Sequence, residues 1–172
     1  MLIIFQCSSF SRIACLCAPT LYKKLLSIKP EGCEAKIFEY DRRFAVFGED
    51  FIFYDYKKPL DLPASITEHS FDLVFADPPF LSEECLSKTA ETIKYLAKEK
   101  VILCTGKDNL SLAQWIIESV AEMINSMIHG RLNGMLHGYW AATRPPPPPP
   151  SLLPAFVVKL PQNYFFTVYN SM

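Results

Sequence analysis

Apolar runs alternate with short amphipathic stretches over the first 106 residues of the chain. The pattern predicts buried strands at 13–18, 35–41, 51–56, 73–76 and 101–105. It predicts helices at 21–26 with Thr20 as the cap, a helical turn at 42–47 ended by Gly48, and a helix that begins at Ser82. Unbroken apolar strands that alternate with helices are typical of a parallel sheet covered on both faces, so the pattern predicts an α/β fold.

The pattern changes after Gly106. Ser111 and Gln114 fit a capping box, and the apolar positions that follow recur at helical spacing, so we expect an amphipathic helix that covers one sheet face. Six prolines at 145–150 predict a polyproline II rod, which we interpret as a spacer rather than a ligand for an SH3 or WW groove. A strand-like run at 164–169 either pairs with the sheet or remains an unpaired end.

Charge marks the same boundary. The 172 residues carry a net charge of -1, which shows no overall electrostatic footprint for nucleic acid. Residues 109–172 hold only three of the 17 Lys and Arg residues and two of the 18 Asp and Glu residues. We therefore divide the chain into an atypical N-terminus at 1–11, a core at 12–108, an amphipathic helical segment at 109–143 and a proline-rich tail at 144–172.

Cysteine and histidine usage exclude some classes of protein. The six cysteines include no Cys-x-x-Cys pair and several lie in apolar runs, which favours a reducing, cytoplasmic location over a disulfide framework. The apolar start is too short for a signal peptide, and no stretch has the length of a membrane span. The three histidines are too scattered to predict a metal site.

The first candidate for chemistry is Asp77-Pro78-Pro79-Phe80, which follows a buried apolar run. Ligands bind at the carboxyl ends of strands in open α/β sheets. The Asp77 carboxylate and the Asp77 and Pro78 carbonyls offer acceptors, while the prolines remove donors. Such a tip suits an amine held by its hydrogens, and Phe80 offers an apolar face to the group that bears it. A simple strand stop is the alternative interpretation of these four residues.

Acidic residues also follow other strands. Glu39 ends the second predicted strand, where an acid typically accepts hydrogen bonds from a ribose, and Asp55 ends the third. The first turn, at 17–20, has no Gly-x-Gly cradle for a pyrophosphate, and Ala18 in this turn is a candidate cofactor contact. An adenosine cofactor without phosphate therefore fits, and S-adenosylmethionine is such a molecule. Solvated turn acids are the alternative.

Longer segments carry a resemblance to a known family. Residues 37–44, 49–56, 59–63, 76–85 and 103–106 closely resemble the elongation factor 1A lysine methyltransferases, which share the Asp-Pro-Pro-aromatic tetrad with enzymes that methylate adenine at N6. The resemblance implies a Rossmann-like S-adenosylmethionine-dependent methyltransferase sheet and a lysine of elongation factor 1A as the acceptor. It places Asp77, Pro78, Pro79 and Phe80 at the acceptor amine, Glu39 at the cofactor ribose and Asp55 near the adenine, and Asp77 is also a candidate cofactor contact.

The chain departs from this family at both ends. Residues 1–11 stand where the family has further residues before its first strand, and the sequence after Gly106 differs, so we expect a sheet that is incomplete at both ends. Two alternatives stay open beside protein-lysine methylation. One is an inactive variant that binds cofactor or a partner, and the other is an adenine-N6 nucleic-acid methyltransferase, which the absence of a basic stripe disfavours. The sequence predicts no oligomeric state.

Overall fold

The computed structural model describes residues 11–80, 82–106, 110–128, 156–159 and 164–170. The strands are β1 (Arg12–Leu16), β2 (Glu34–Glu39), β3 (Phe51–Phe53), β4 (Phe71–Ala76), β5 (Ala97–Gly106), β6 (Phe156–Lys159) and β7 (Tyr164–Asn170). The helices are α1 (Pro19–Leu26), α2 (Glu83–Leu96) and α3 (Leu110–Ile128), with a 3₁₀ segment at Arg42–Asp50.

The strands form one sheet in the order β3-β2-β1-β4-β5-β7-β6. The pairs among β1 to β5 are parallel, whereas β7 is antiparallel to both of its neighbours, β5 and β6. From β1 the chain adds strands first on one side of the sheet, as β2 and β3, and then on the other side, as β4 and β5. The carboxyl ends of β1 and β4 therefore border the crevice where open α/β sheets bind ligands. The predicted α/β fold is confirmed.

Helices cover both sheet faces. On one face, α2 and α3 bury Ala14, Leu16, Val74 and Ala76 in a common core that includes Ile116. On the other, α1 and the 3₁₀ segment cover a set that includes Ile13, Cys15, Leu73 and Phe75. Every residue of β4 is buried, which explains why this strand has no polar alternation in the sequence.

Helix starts differ from the predictions at two places. Ala18 rather than Thr20 is the N-cap of α1, because Pro19 occupies the first turn, where a missing N–H costs little. The capping box at Ser111 is also wrong, since α3 already begins at Leu110. Ser82 is the N-cap of α2 as predicted, and its hydroxyl accepts from the Cys85 N–H at 3.3 Å. The 3₁₀ segment has a kink at Gly48, whose φ of 61° lies in the left-handed region.

The third strand is shorter than predicted. It ends at Phe53 rather than Tyr56, because Asp55 starts a turn in which its carboxylate accepts from the Lys57 N–H at 2.9 Å. An aspartate that bonds to the backbone two residues later competes with strand pairing. Asp55 is therefore a turn residue just beyond β3, not the end of the strand.

The sheet continues beyond β5, so that of the two possibilities left open for the run at 164–169, pairing with the sheet is the one observed. The run at 164–169 lies in β7, which pairs with β5 from Lys100↔Asn170 to Gly106↔Tyr164, and β6 then pairs with β7. The predicted helix after Gly106 is present as α3 and packs against the sheet. The N-terminal segment before Ser11, the polyproline run at 145–150 and the histidines at 129 and 137 lie outside the described residues. No helix within the described ranges is long and apolar enough to cross a membrane.

Candidate functional site

Backbone hydrogen bonds bring four strand ends together along one edge of the sheet. Beyond β3, the Tyr54 N–H donates to the Glu39 carbonyl at 3.0 Å, and beyond β1 the Cys17 N–H donates to the Phe38 carbonyl at 2.8 Å. The Asp77 N–H in turn donates to the Leu16 carbonyl at 2.9 Å. These bonds continue the parallel pairing past the strands, so Glu39, Asp77 and the first turn share one edge, as the alternation of strands and helices predicted.

The tetrad lies at the end of β4. Pro78 is buried, while Asp77, Pro79 and Phe80 are exposed, with 58% of the Phe80 surface accessible. Neither proline has a donor, so the tip presents the Asp77 carboxylate and carbonyl oxygens without a competing N–H between them. The arrangement is acceptor-rich and has an exposed aromatic ring beside it. An amine on an aliphatic chain or a ring matches both features.

The surroundings of Asp77 affect its charge. Asp77 is open to solvent on one side and crowded by protein on the other, and this desolvation raises the pKa of its carboxyl group. Burial raises the pKa of the Cys17 thiol strongly, and the nearby Glu39, Cys85 and Asp77 add to the effect. Burial and the Asp77 charge likewise raise the pKa of the Cys104 thiol. These thiols are therefore neutral apolar neighbours of Asp77 rather than nucleophiles.

The other predicted cofactor contacts surround the first turn and the end of β2. Ala18 is buried at the N-terminus of α1, directly after Cys17, whose φ is 55°. Glu39 is half-buried, and one of its carboxylate oxygens accepts from the Asp41 N–H at 3.2 Å. The Asp55 turn begins immediately after Tyr54, which is bonded to the Glu39 carbonyl. Among the described residues, no hydrogen bond uses the second carboxylate oxygen of Glu39 or of Asp55, so each can accept from a ligand.

A cavity of about 630 Å³ opens next to these residues. Tyr40, Asp41, Arg42 and Phe53 line it. The Tyr40 and Phe53 rings lie 5.5 Å apart, and the Arg42 guanidinium lies 4.2 Å from the centre of the Phe53 ring. Sequence reasoning did not select Tyr40, Arg42 or Phe53. Their positions at strand ends could have indicated them, because Tyr40 directly follows the acid that ends β2 and Phe53 is the last residue of β3.

This cavity is open to solvent, and its lining combines two aromatic rings with one acidic and one basic side chain. Its aromatic rings suit a base, and the neighbouring Glu39 suits hydroxyl groups of a ribose. Asp41 is used internally, since it accepts from the Arg43 N–H at 2.9 Å and pairs with the Arg43 side chain. No group of three or more His, Cys, Asp or Glu side chains that could hold a metal ion occurs in the part of the chain that the structure describes.

A second aromatic pair lies on the tetrad side. Tyr56, in the turn after β3, contacts Phe80 edge-to-face with ring centroids 5.9 Å apart and an interplanar angle of 67°. Tyr56 is half-buried against the core under α2 and α3. No local sequence pattern links Tyr56 with Phe80, because the two residues are far apart along the chain and neither lies in a strand.

The chain is similar to known methyltransferases. A family model described as probable N6-adenine methyltransferase matches residues 2–134. EEF1A lysine methyltransferase 1 of Homo sapiens is 62% identical over 95 residues, which cover 55% of this chain and 44% of the human protein. The Danio rerio protein of the same name is 53% identical over 104 residues, which cover 59% of this chain and 63% of that protein.

A more distant relative has a broader name. A protein-lysine N-methyltransferase of Caenorhabditis elegans is 46% identical over 102 residues, covering 56% of this chain and 46% of the relative. The chain thus spans about half the length of most of the curated relatives that it matches.

A solved structure supports the fold alone. A crystal structure from Rhodobacter sphaeroides, described as a Zn-dependent alcohol dehydrogenase, superposes with a TM-score of 0.50 over 94% of this chain and 84% of that chain, at 14% identity. Such a match shares an architecture without sharing a site.

Proposed function

We propose, because the chain belongs to the family of probable N6-adenine methyltransferases, that it transfers a methyl group from S-adenosylmethionine to the side-chain amine of a protein lysine. The observation that carries the proposal is the acceptor-rich Asp77-Pro78-Pro79-Phe80 tip at the end of β4, on the same edge of the sheet as the acid that ends β2, with β1 between the two strands. Relatives named as protein-lysine methyltransferases support lysine as the acceptor.

The cofactor supplies an electrophilic methyl group on a sulfonium. In this proposal Glu39 accepts hydrogen bonds from the ribose, and Asp55 and the aromatic lining of the cavity contact the adenine. Ala18, at the start of α1, would contact the remaining part of the molecule. The absence of a Gly-x-Gly phosphate cradle in the first turn agrees with a cofactor that has no phosphate.

The acceptor amine must be neutral before it attacks. A free lysine has a pKa of about 10.4, so the site has to favour loss of a proton. Desolvation next to the buried Pro78 would lower the pKa of an incoming amine, whereas the Asp77 carboxylate would raise it while accepting, with the Pro78 carbonyl, the hydrogens of the amine. The proton of the ammonium would leave to solvent, to which Asp77 is exposed, and the new N–C bond would form as the S–C bond of the sulfonium breaks, leaving S-adenosylhomocysteine. The lone pair then points away from these acceptors, toward the cofactor side. The catalytic contribution is mostly alignment.

Elongation factor 1A is the substrate that we propose, since relatives that are 62% and 53% identical to this chain carry EEF1A in their names. We also propose the cytoplasm as the site of action. The described cysteines at positions 17, 33, 85 and 104 are free thiols, which suits a reducing compartment.

The test is transfer of a labelled methyl group to purified elongation factor 1A. We expect turnover by the chain and a loss of about 100-fold or more in kcat/KM for Asp77→Ala. Asp61→Ala is the matched control, because Asp61 is an exposed acid on the loop between β3 and β4. Binding of S-adenosylmethionine, measured by calorimetry, without any turnover would favour the inactive binding variant instead.

An adenine-N6 activity is the second candidate, because the matching family model is described by it. The same acceptor-rich tip fits the exocyclic amine of adenine, with Phe80 against the base. Offering an adenine-containing single-stranded oligonucleotide in the same assay decides between the two. Label on the oligonucleotide but not on the protein would replace lysine as the acceptor.

A further inference from the structure

Phe80 is exposed but not isolated. More than half of its surface is accessible, yet its ring contacts Tyr56 edge-to-face at 5.9 Å. Edge-to-face aromatic pairs have a preferred geometry and contribute free energy beyond their buried area. The contact therefore restricts the orientation of the ring that stands beside the proposed acceptor site.

The segment that carries Tyr56 is itself anchored on both sides. The buried Tyr54 hydroxyl pairs with Thr92 Oγ1 of α2 at 2.9 Å, and the Thr92 hydroxyl donates to the Pro59 carbonyl at 2.9 Å. Between these points, Asp55 holds the turn through the Lys57 N–H. One helix residue thus ties down the chain before and after Tyr56, so that Tyr56 is a stable support for a more exposed partner.

We propose that Tyr56 is a positioning residue that holds Phe80 as one wall of the acceptor-amine site, an inference that rests on the methyl transfer proposed above. Phe80 lies three residues after Asp77, and the two intervening prolines make this part of the backbone stiff. The ring orientation then decides how closely the aliphatic part of an acceptor side chain approaches the Asp77 carboxylate. Tyr56 acts on the acceptor and not on the cofactor.

The structure offers a matched pair for comparison. Tyr40 and Phe53 form the corresponding aromatic contact at 5.5 Å, but beside the cavity assigned to the cofactor. If each pair serves its own half of the site, removal of one ring affects one ligand and spares the other.

The experiment compares Tyr56→Leu, Tyr56→Phe and Tyr40→Leu in the full chain. Calorimetry measures two affinities. The first is the affinity of the chain for S-adenosylhomocysteine. The second is the affinity for elongation factor 1A of the chain that is already saturated with S-adenosylhomocysteine. Tyr56→Leu is expected to weaken acceptor binding about 2- to 10-fold, the range of an aromatic pair, and to leave cofactor affinity within about twofold. Tyr56→Phe keeps the ring edge and is expected to restore acceptor affinity. Tyr40→Leu is expected to weaken cofactor binding instead.

A second measurement reports on Phe80 directly. With 4-fluorophenylalanine at position 80, the fluorine NMR shift is expected to change in Tyr56→Leu and to return toward the original value in Tyr56→Phe. Where turnover is present, Tyr56→Leu is expected to raise the acceptor KM more than it lowers kcat.

The outcomes separate this inference from the proposed reaction. Unchanged acceptor affinity in Tyr56→Leu, an equal loss of both affinities, or failure of Tyr56→Phe to restore binding would overturn the role of Tyr56. Absence of methyl transfer together with the expected binding pattern would overturn the reaction and leave the positioning role in place. If the unaltered chain does not bind elongation factor 1A, the inference falls with it.

Discussion

Two aspartates at opposite ends of β4 show how differently the fold treats the same side chain. Asp72 is buried, and its carboxylate accepts from the Ser11 N–H and hydroxyl, the Arg12 N–H and Lys98 Nζ at 2.7 to 3.0 Å. Burial alone would raise the pKa of Asp72, but these hydrogen bonds outweigh it and lower the pKa to about 2. Asp77 has no comparable donors, and desolvation raises its pKa. Asp72 therefore stabilises the fold, whereas Asp77 carries a less stable charge at the candidate site.

Asp72→Asn is predicted to lower the free energy of unfolding by about 2 kcal/mol at pH 7. Because the folded pKa lies below the unfolded value of about 3.9, the stabilisation is present above pH 4 and is lost as the pH falls toward 2. Urea unfolding at pH 7, 5, 4 and 3 measures this. The variant is expected to lose less stability than the unaltered chain over the acidic range.

Asp77→Asn is the control for this series. Its folded pKa is shifted in the opposite direction, so its removal is expected to leave stability at neutral pH unchanged or slightly higher. Equal acid sensitivity of the unaltered chain and the Asp72→Asn variant would show that the Asp72 hydrogen bonds do not stabilise the fold.

Among the elements, the best predicted from the sequence are the buried strands and the helix whose first turn is capped by a nearby side chain. The apolar runs of β1, β2, β4 and β5 and the Ser82 cap of α2 require only short-range information. The end of β3 was missed because the Asp55 turn competes with an aromatic run of high strand propensity. The cofactor-side cavity was missed for another reason: it depends on which side chains meet across β2 and β3, which no local pattern contains.

The loop after β3 is linked to α2 by hydrogen bonds among Tyr54, Thr92 and Pro59. The contribution of these bonds to stability can be tested by substitution. Tyr54→Phe removes one buried hydrogen bond and is predicted to lower the free energy of unfolding by about 1 kcal/mol. Thr92→Val leaves both the Tyr54 hydroxyl and the Pro59 carbonyl without their partner and is predicted to lower it by about 2 to 4 kcal/mol.

Urea unfolding of the two single variants and the double variant measures their coupling. The double variant is expected to be less destabilised than the sum of the singles, because Tyr54→Phe removes a group that Thr92→Val would leave unpaired. Strict additivity would mean that the two hydroxyl groups do not interact in the folded protein.

At the scale of the whole molecule, the last two strands extend the sheet beyond β5, although they lie in the part of the chain that has few charged residues. β7 pairs along seven residues of β5, from Lys100 to Gly106, and carries β6 on its other side. Without β7, the backbone groups along this side of β5 would have no strand partner and would present an open edge. The low charge after residue 108 is thus compatible with strands that join the sheet, because inner strands need few charged positions.

Proline substitutions test this arrangement of the whole sheet. Val168 of β7 is paired with Ile102 of β5 on one side and with Phe156 of β6 on the other. Its N–H therefore points toward a neighbouring strand on either side of β7. Val168→Pro is predicted to lower the free energy of unfolding by about 3 kcal/mol or more.

In β6, adjacent N–H groups point to opposite sides and one of them faces the open edge. One of Val157→Pro and Val158→Pro is therefore expected to be much milder than Val168→Pro. Thermal and urea unfolding of the three variants provides the measurement, and light scattering reports aggregation through an exposed β5. If all three prolines are tolerated equally, β6 and β7 do not pair with β5 in solution.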